Sequence, residues 1–184
     1  SSTDKSGLTE ITSVTIAVAV LAVMLAIPRV SDAADSLRKA KGGSQMEQAI
    51  VAGGCFWCME SDFQKIPGVK EVVSGYSGGH TENPTYEQSN TGKTGHAEAV
   101  KVIYDPNIVS FKTLVDVYFA SQNVTQVNGQ GPDIGSQYRS IIFYSNDQEK
   151  EIIYNAIKQL QPKYNKPIAA EVKAFEKFWY AEEY

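Results

Sequence analysis

The pattern of apolar and polar positions divides the chain into three stretches. Residues Ile11 to Ile27 (ITSVTIAVAVLAVMLAI) form a run without charge, closed by Pro28 and Arg29. A bilayer span takes about 17–25 apolar residues and a signal-peptide core about 7–15, so the run sits between the two. Ser31-Asp32-Ala33 offers small residues where a signal peptidase would cut, while only Lys5, against Asp4 and Glu10, precedes the run. Residues 1–30 are therefore expected to be a signal or anchor segment that places the rest of the chain outside the cytoplasm, released or tethered by residues 11–27. Residues 31–47 are small, charged and glycine-containing, as in a linker.

From residue 48 to 184 the periodicity alternates between strand and helix. Ala49 to Ala52 is a short apolar strand stopped by Gly53-Gly54. Phe56, Met59, Phe63 and Ile66 then recur at helical spacing until Pro67-Gly68. Val69 to Tyr76 predicts a second strand, Ser77 to Gly95 a long polar loop, and His96 to Asp105 a third strand with clear alternation. Ser110 is placed to cap a helix bearing Phe111, Leu114, Val115, Tyr118 and Phe119 on one stripe. Ser121 to Gln137 is irregular, Tyr138 to Tyr144 is a strand, and Asn146 opens a helix carrying Ile152, Ile153, Ala156, Ile157 and Leu160. Ala169 to Ala174 is the last strand. This order predicts an α+β domain, a two-layer sandwich with a mixed sheet around a split βαβ, ferredoxin-like core.

Composition narrows the function. A net charge of −4 and pI near 5.2 disfavour a nucleic-acid partner, which would need a basic surface. Two cysteines are too few to staple a scaffold, so burial must hold the core and the cysteines are available for chemistry. They stand together in GGCFWCME, Gly53 to Glu60. A zinc site would recruit His80 and His96, but these lie too far apart for a C2H2 site.

Cys55 follows Gly-Gly at a strand-to-helix junction, where unpaired backbone N–H groups and the helix dipole favour a thiolate. This makes Cys55 the candidate nucleophile, against the alternative of an inert buried thiol. A cysteine hydrolase or acyltransferase would need His96 as its base. A redox enzyme would need a proton donor for a departing oxygen and a second thiol to clear the oxidised sulfur. Cys58, one helical turn on, lies within disulfide reach. Glu98 shares a strand face with Val100, Val102 and Tyr104, which points it inward, where burial would keep a carboxyl protonated. The alternative for Glu98 is a surface position on an edge strand. A non-enzymatic module whose two cysteines staple a helix also stays open.

Several longer motifs carry a resemblance. GCFW with Glu60, Gly75-Tyr76, NPTYE (Asn83 to Glu87), TGHAEAVKVIYDP (Thr94 to Pro106), QGPDIGSQYRS (Gln130 to Ser140) and the terminal AEEY resemble, in order, the type-A peptide methionine sulfoxide reductases. The resemblance implies a thiol reductase that returns methionine S-sulfoxide, free or in oxidised proteins, to methionine. It needs no metal or organic cofactor and uses an external dithiol such as thioredoxin. It casts Cys55 as attacking thiolate, Phe56 and Trp57 as the wall around the substrate methyl, and Glu98 as proton donor. Tyr86 and Tyr138 become hydrogen-bond donors to the sulfoxide oxygen, and Asp133 a residue that shapes the site and holds water. Two departures stand out. Many members carry glycine at the position of Cys58 and a resolving cysteine in a tail beyond the equivalent of Tyr184. Either such a tail is missing or Cys58 resolves the oxidised Cys55. Gln122-Asn123-Val124-Thr125 also replaces the usual histidine-aspartate-proline-threonine, a change expected to alter loop packing only.

Overall fold

The computed structural model describes residues 45–182. The expected signal or anchor segment, almost all of the linker and the last two residues lie outside them. Among the described residues no helix is long and apolar enough to cross a membrane.

The chain runs through β1 (Glu47–Ala52), α1 (Phe56–Phe63), β2 (Val69–Ser77), α2 (Tyr86–Asn90), β3 (Ala97–Tyr104) and α3 (Phe111–Ser121). It continues through β4 (Gly129–Gln130), β5 (Asp133–Ile134), β6 (Ile141–Tyr144), α4 (Asp147–Leu160), β7 (Glu171–Ala174) and β8 (Phe178–Tyr180). Six strands form one sheet in the order β7-β6-β1-β3-β2-β8, and β4 and β5 form a separate two-stranded hairpin. The four central strands pair antiparallel, while β7 joins β6 in parallel, so the sheet is mixed. With α1 and α3 as the crossovers, β6-β1-β3-β2 is the split βαβ core expected from the element order.

Strand alternation sorts the core into two clusters. Ala49, Val51, Val100, Val102, Tyr104 and Ile142 meet Phe56, Met59 and Phe63 of α1, the apolar stripe of α3, and Ile153 and Ala156 of α4. On the opposite face Ile50, Ala52, Ala97, Ala99, Ile141 and Phe143 pack with Phe178. Both faces of β1 are thus covered, which is why its last four residues read as one apolar run rather than an alternation. The expected caps form: Ser110 Oγ accepts the Thr113 N–H at 3.1 Å and Asn146 Oδ1 the Glu149 N–H at 2.9 Å.

Four local features differ from the sequence expectation. The Ser77–Gly95 loop contains α2, closed by a capping box between Thr85 and Gln88. The irregular stretch holds the β4–β5 hairpin. Tyr138 lies in a 3-10 turn, Ser136–Tyr138, and β6 starts only at Ile141. β8 pairs with β2, so that Tyr76 stands opposite both Glu98 and Trp179.

Candidate active site

The strand β1 delivers Cys55 to the start of α1. Tyr118, fully buried, donates its hydroxyl to the Ala52 carbonyl at 2.7 Å, anchoring the end of the strand. Gly54 has φ +80°, a conformation open to glycine, and its N–H donates to the Tyr138 carbonyl at 3.0 Å. A Cβ there would also press to 2.9 Å from the Gln130 Cβ. Cys55 is then the N-cap of α1 in an extended conformation, and its carbonyl accepts the N–H groups of Cys58 and Met59 at 3.1 and 3.3 Å. The Cys55 side chain itself does not cap the helix. One of its orphan N–H groups, that of Phe56, donates instead to Glu98 Oε2 at 3.1 Å.

That bond places the carboxyl of Glu98 at the residue next to the thiol. Glu98 is only 2% exposed. Burial pushes its pKa up to about 7, with the Phe56 N–H pulling the other way and the charge of Asp133 adding to the rise. Near neutral pH a proton is thus held beside Cys55. Tyr138 faces the same spot: burial raises its phenol, and the charges of Glu98, Tyr86, Asp133 and Cys55 add to that. A phenol in that setting stays a hydrogen-bond donor.

Three rings line the neighbouring wall. Phe56, 1% exposed, lies 5.4 Å from Trp57 and 6.4 Å from Tyr86, and Trp57 stacks on Tyr86 at 6.2 Å and 23°. Trp57 stays 55% exposed, so the wall faces outward and is open to a substrate. On the other side of Cys55 an open groove of about 350 Å³ is lined by Cys58, Asp62, Gln122, Asn123, Gln130 and Asp133, among others. Both cysteines are free thiols. The charge of Cys55, then burial, then the closeness of the two thiols, then the charges of Asp133 and Asp62 hold the Cys58 thiol above its ordinary value.

Of the eight residues singled out from the sequence, Cys55, Cys58 and Asp133 line the groove and Glu98 bonds the Phe56 N–H. Phe56, Trp57 and Tyr86 form the ring wall, and Tyr138 lies near enough to feel the charges of Glu98 and Cys55. Sequence reading gave no role to the supports around them. Gln130 closes the loop that carries Asp133, accepting the Asn123 N–H at 2.8 Å and donating to the Asn123 carbonyl and to Ser140 Oγ. Arg139 ties the Tyr138 turn to the Gly95 carbonyl, just ahead of β3, and to Glu171. Both sit in QGPDIGSQYRS, whose length was the available signal. His96 is not free to act as a base. Its Nδ1 accepts the Gly79 N–H at 2.9 Å, so Nε2 carries the hydrogen that goes to the Thr81 carbonyl at 2.7 Å. Among the described residues no cluster of histidine, cysteine, aspartate and glutamate could hold a metal ion.

Comparison with known proteins places this geometry. The family model described as "Peptide methionine sulfoxide reductase" matches residues 47–184. The chain is 49% identical over 138 residues to the peptide methionine sulfoxide reductase MsrA of Pasteurella multocida, covering 75% of this chain and 79% of the relative. It is 50% identical over 138 residues to that of Erwinia tasmaniensis, covering 75% and 78%. Among solved structures, methionine sulfoxide reductase A of Corynebacterium diphtheriae matches with TM-score 0.69 and 33% identity over 77% of this chain and 72% of its own. Reduced Mxr1 of Saccharomyces cerevisiae matches with TM-score 0.71 and 30% identity, covering 76% and 82%. A complex of Mxr1 with Trx2 shares the fold at TM-score 0.57 and 21% identity, covering 75% and 82%. Sequence, fold and a thiol-centred site agree: the chain belongs to the type-A peptide methionine sulfoxide reductases, oxidoreductases that reduce methionine sulfoxide by thiol chemistry.

Proposed function

We propose that Cys55, with Glu98 as its proton source, reduces the S epimer of methionine sulfoxide, free or in oxidised proteins. The observation that carries this reading is the 3.1 Å bond from the Phe56 N–H to Glu98 Oε2, which sets a protonatable carboxyl beside the thiol. The substrate's methyl lies against Phe56 and Trp57, and Tyr86 and Tyr138 donate hydrogen bonds to its oxygen. The Cys55 thiolate attacks the sulfoxide sulfur while Glu98 protonates the oxygen. The sulfur–sulfur bond so formed and the S–O bond then both break as the protonated oxygen passes to the Cys55 sulfur, leaving methionine and a sulfenic acid on Cys55. Asp133 holds water at the open side.

Cys58 then completes the cycle. While Cys55 is a thiolate, its charge is the largest cause keeping the Cys58 thiol protonated. Oxidation to the neutral sulfenic acid removes that charge, so Cys58 ionises more readily at the moment it is needed. Its thiolate attacks the Cys55 sulfur, an S–S bond forms, and the hydroxyl leaves as water. A thioredoxin-like dithiol reduces the disulfide, as suits a family in which Mxr1 has been solved in complex with Trx2. Incubating the chain with each epimer of a methionine sulfoxide peptide and dithiothreitol tests the reading. Methionine should form from the S epimer alone; equal turnover of both epimers would refute the assignment.

The apolar run from Ile11 to Ile27 supports a place outside the cytoplasm, released or tethered. Because that compartment is oxidising, the reductant would be an exported dithiol protein supplied with electrons across the membrane. Fractionation that finds the full-length protein in the cytoplasm would contradict this.

A further inference from the structure

We infer that Glu182 is a positioning residue for the substrate wall, acting from the segment after β8 on Tyr86 and Tyr76. The inference rests on the reading above, in which Tyr86 and its stacked partner Trp57 meet the substrate. Glu182 belongs to the AEEY motif and follows β8, where the Ala181 N–H donates to the Ser74 carbonyl at 3.0 Å and extends the pairing with β2. That backbone bond brings one carboxylate to two elements of the wall. Its Oε1 accepts the Tyr86 N–H at 3.1 Å, and its Oε2 accepts the Tyr76 hydroxyl at 3.4 Å.

Tyr86 is the first residue of α2, whose Thr85 cap already serves the Gln88 N–H. The Tyr86 N–H is one of the donors that such a helix start leaves over, and a carboxylate is a strong acceptor for it. Tyr76 is fully buried, with its ring 5.8 Å from that of Phe56. Glu182 therefore joins the outer part of the wall, Tyr86 stacked on Trp57, to the inner part, Tyr76 against Phe56. A helix of five residues is short enough to tilt, and a small tilt of α2 moves the Tyr86 ring and hydroxyl together. The carboxylate holds that angle.

Glu182→Ala in the full chain should slow formation of the first methionine, without added reductant, roughly tenfold. Glu182 itself is exposed, but it accepts from the buried Tyr76 hydroxyl, so the melting temperature should fall only slightly and circular dichroism should stay parental. Glu182→Gln keeps an acceptor and should recover most of the rate. The chain's two tryptophans are Trp57 and Trp179. In a Trp179→Phe background Trp57 reports alone, and its emission should change on Glu182→Ala and return toward the parental spectrum with Glu182→Gln. Parental rate and emission in Glu182→Ala overturn the inference, as does an equal rate loss in both Glu182 variants with unchanged emission. Tyr86→Phe separates the inference from the reading beneath it. A slow Tyr86→Phe beside a parental Glu182→Ala overturns the inference alone. A parental Tyr86→Phe beside a slow Glu182→Ala overturns the oxygen-bonding role of the Tyr86 hydroxyl and supports Glu182 as the residue that holds the wall.

Discussion

The two sides of Cys55 are built from different materials. On one side Glu98 and Phe56 are buried, Tyr76 backs them, and the sheet registers them through Tyr76 opposite Glu98. On the other side Cys58 is exposed, and the groove around it is walled by a loop that polar side chains close. Low polarity on the first side raises the Glu98 carboxyl, which in the proposed mechanism keeps a proton for the sulfoxide oxygen. Water and access on the second side suit thiol exchange with a second protein. In the proposed mechanism one thiol thus faces a dry half for the oxygen-transfer step and a wet half for renewal.

The contrast is broken most completely at the thiol between the halves. Cys55→Ser should abolish methionine formation with either a small or a protein dithiol, while near-parental circular dichroism shows the fold intact. Residual turnover would mean that another group attacks the sulfoxide.

Glu98→Gln tests the dry half. The rate of the first turnover should fall on the order of 10²–10⁴-fold, the usual contribution of a positioned acid. In the parent, the rate should decline as pH rises through about 7, where Glu98 gives up its proton, and the variant should lack that limb. The same group leaves a mark on stability. An unfolded glutamate titrates at about 4.5, so between roughly 4.5 and 7 the native state binds the extra proton. Stability should therefore fall as pH rises across that window and level off above it. Denaturant titrations at a series of pH values should show a flatter dependence in Glu98→Gln.

Tyr138→Phe removes the hydrogen bond proposed to the substrate oxygen while leaving the Gly54 N–H to Tyr138 carbonyl bond in place. Its first turnover should slow by about tenfold or less. A loss as large as that of Glu98→Gln would make Tyr138 the proton donor instead.

Cys58→Ala confines its effect to the wet half. The first methionine per enzyme should form at the parental rate, while thioredoxin-driven cycling stops. Mass spectrometry after one equivalent of sulfoxide should find a Cys55–Cys58 disulfide in the parent and a sulfenic acid in the variant. Normal cycling in the variant would remove Cys58 from the mechanism.

What could be read from the chain depended on how far apart the cooperating residues lie. Helical spacing around Phe56, Met59 and Phe63, the Ser110 and Asn146 caps, and the inward face of β3 involve neighbours within a turn or two, so the sequence determined them. The long motifs also marked Cys55, Glu98, Tyr86, Tyr138 and Asp133, since each lies in its own short stretch. Pairing in three dimensions settled the rest. That Glu98 serves the Phe56 N–H, 42 residues earlier, follows from the β2–β3 register and the angle at which α1 leaves β1. The hairpin closed by Gln130, the Arg139 tie to Gly95, and the strand β8 that carries Glu182 to Tyr86 across 96 residues leave no periodic trace. Short polar segments have too few apolar positions to show a period. Their hydrogen-bond partners are chosen only once the sheet has brought distant backbone together.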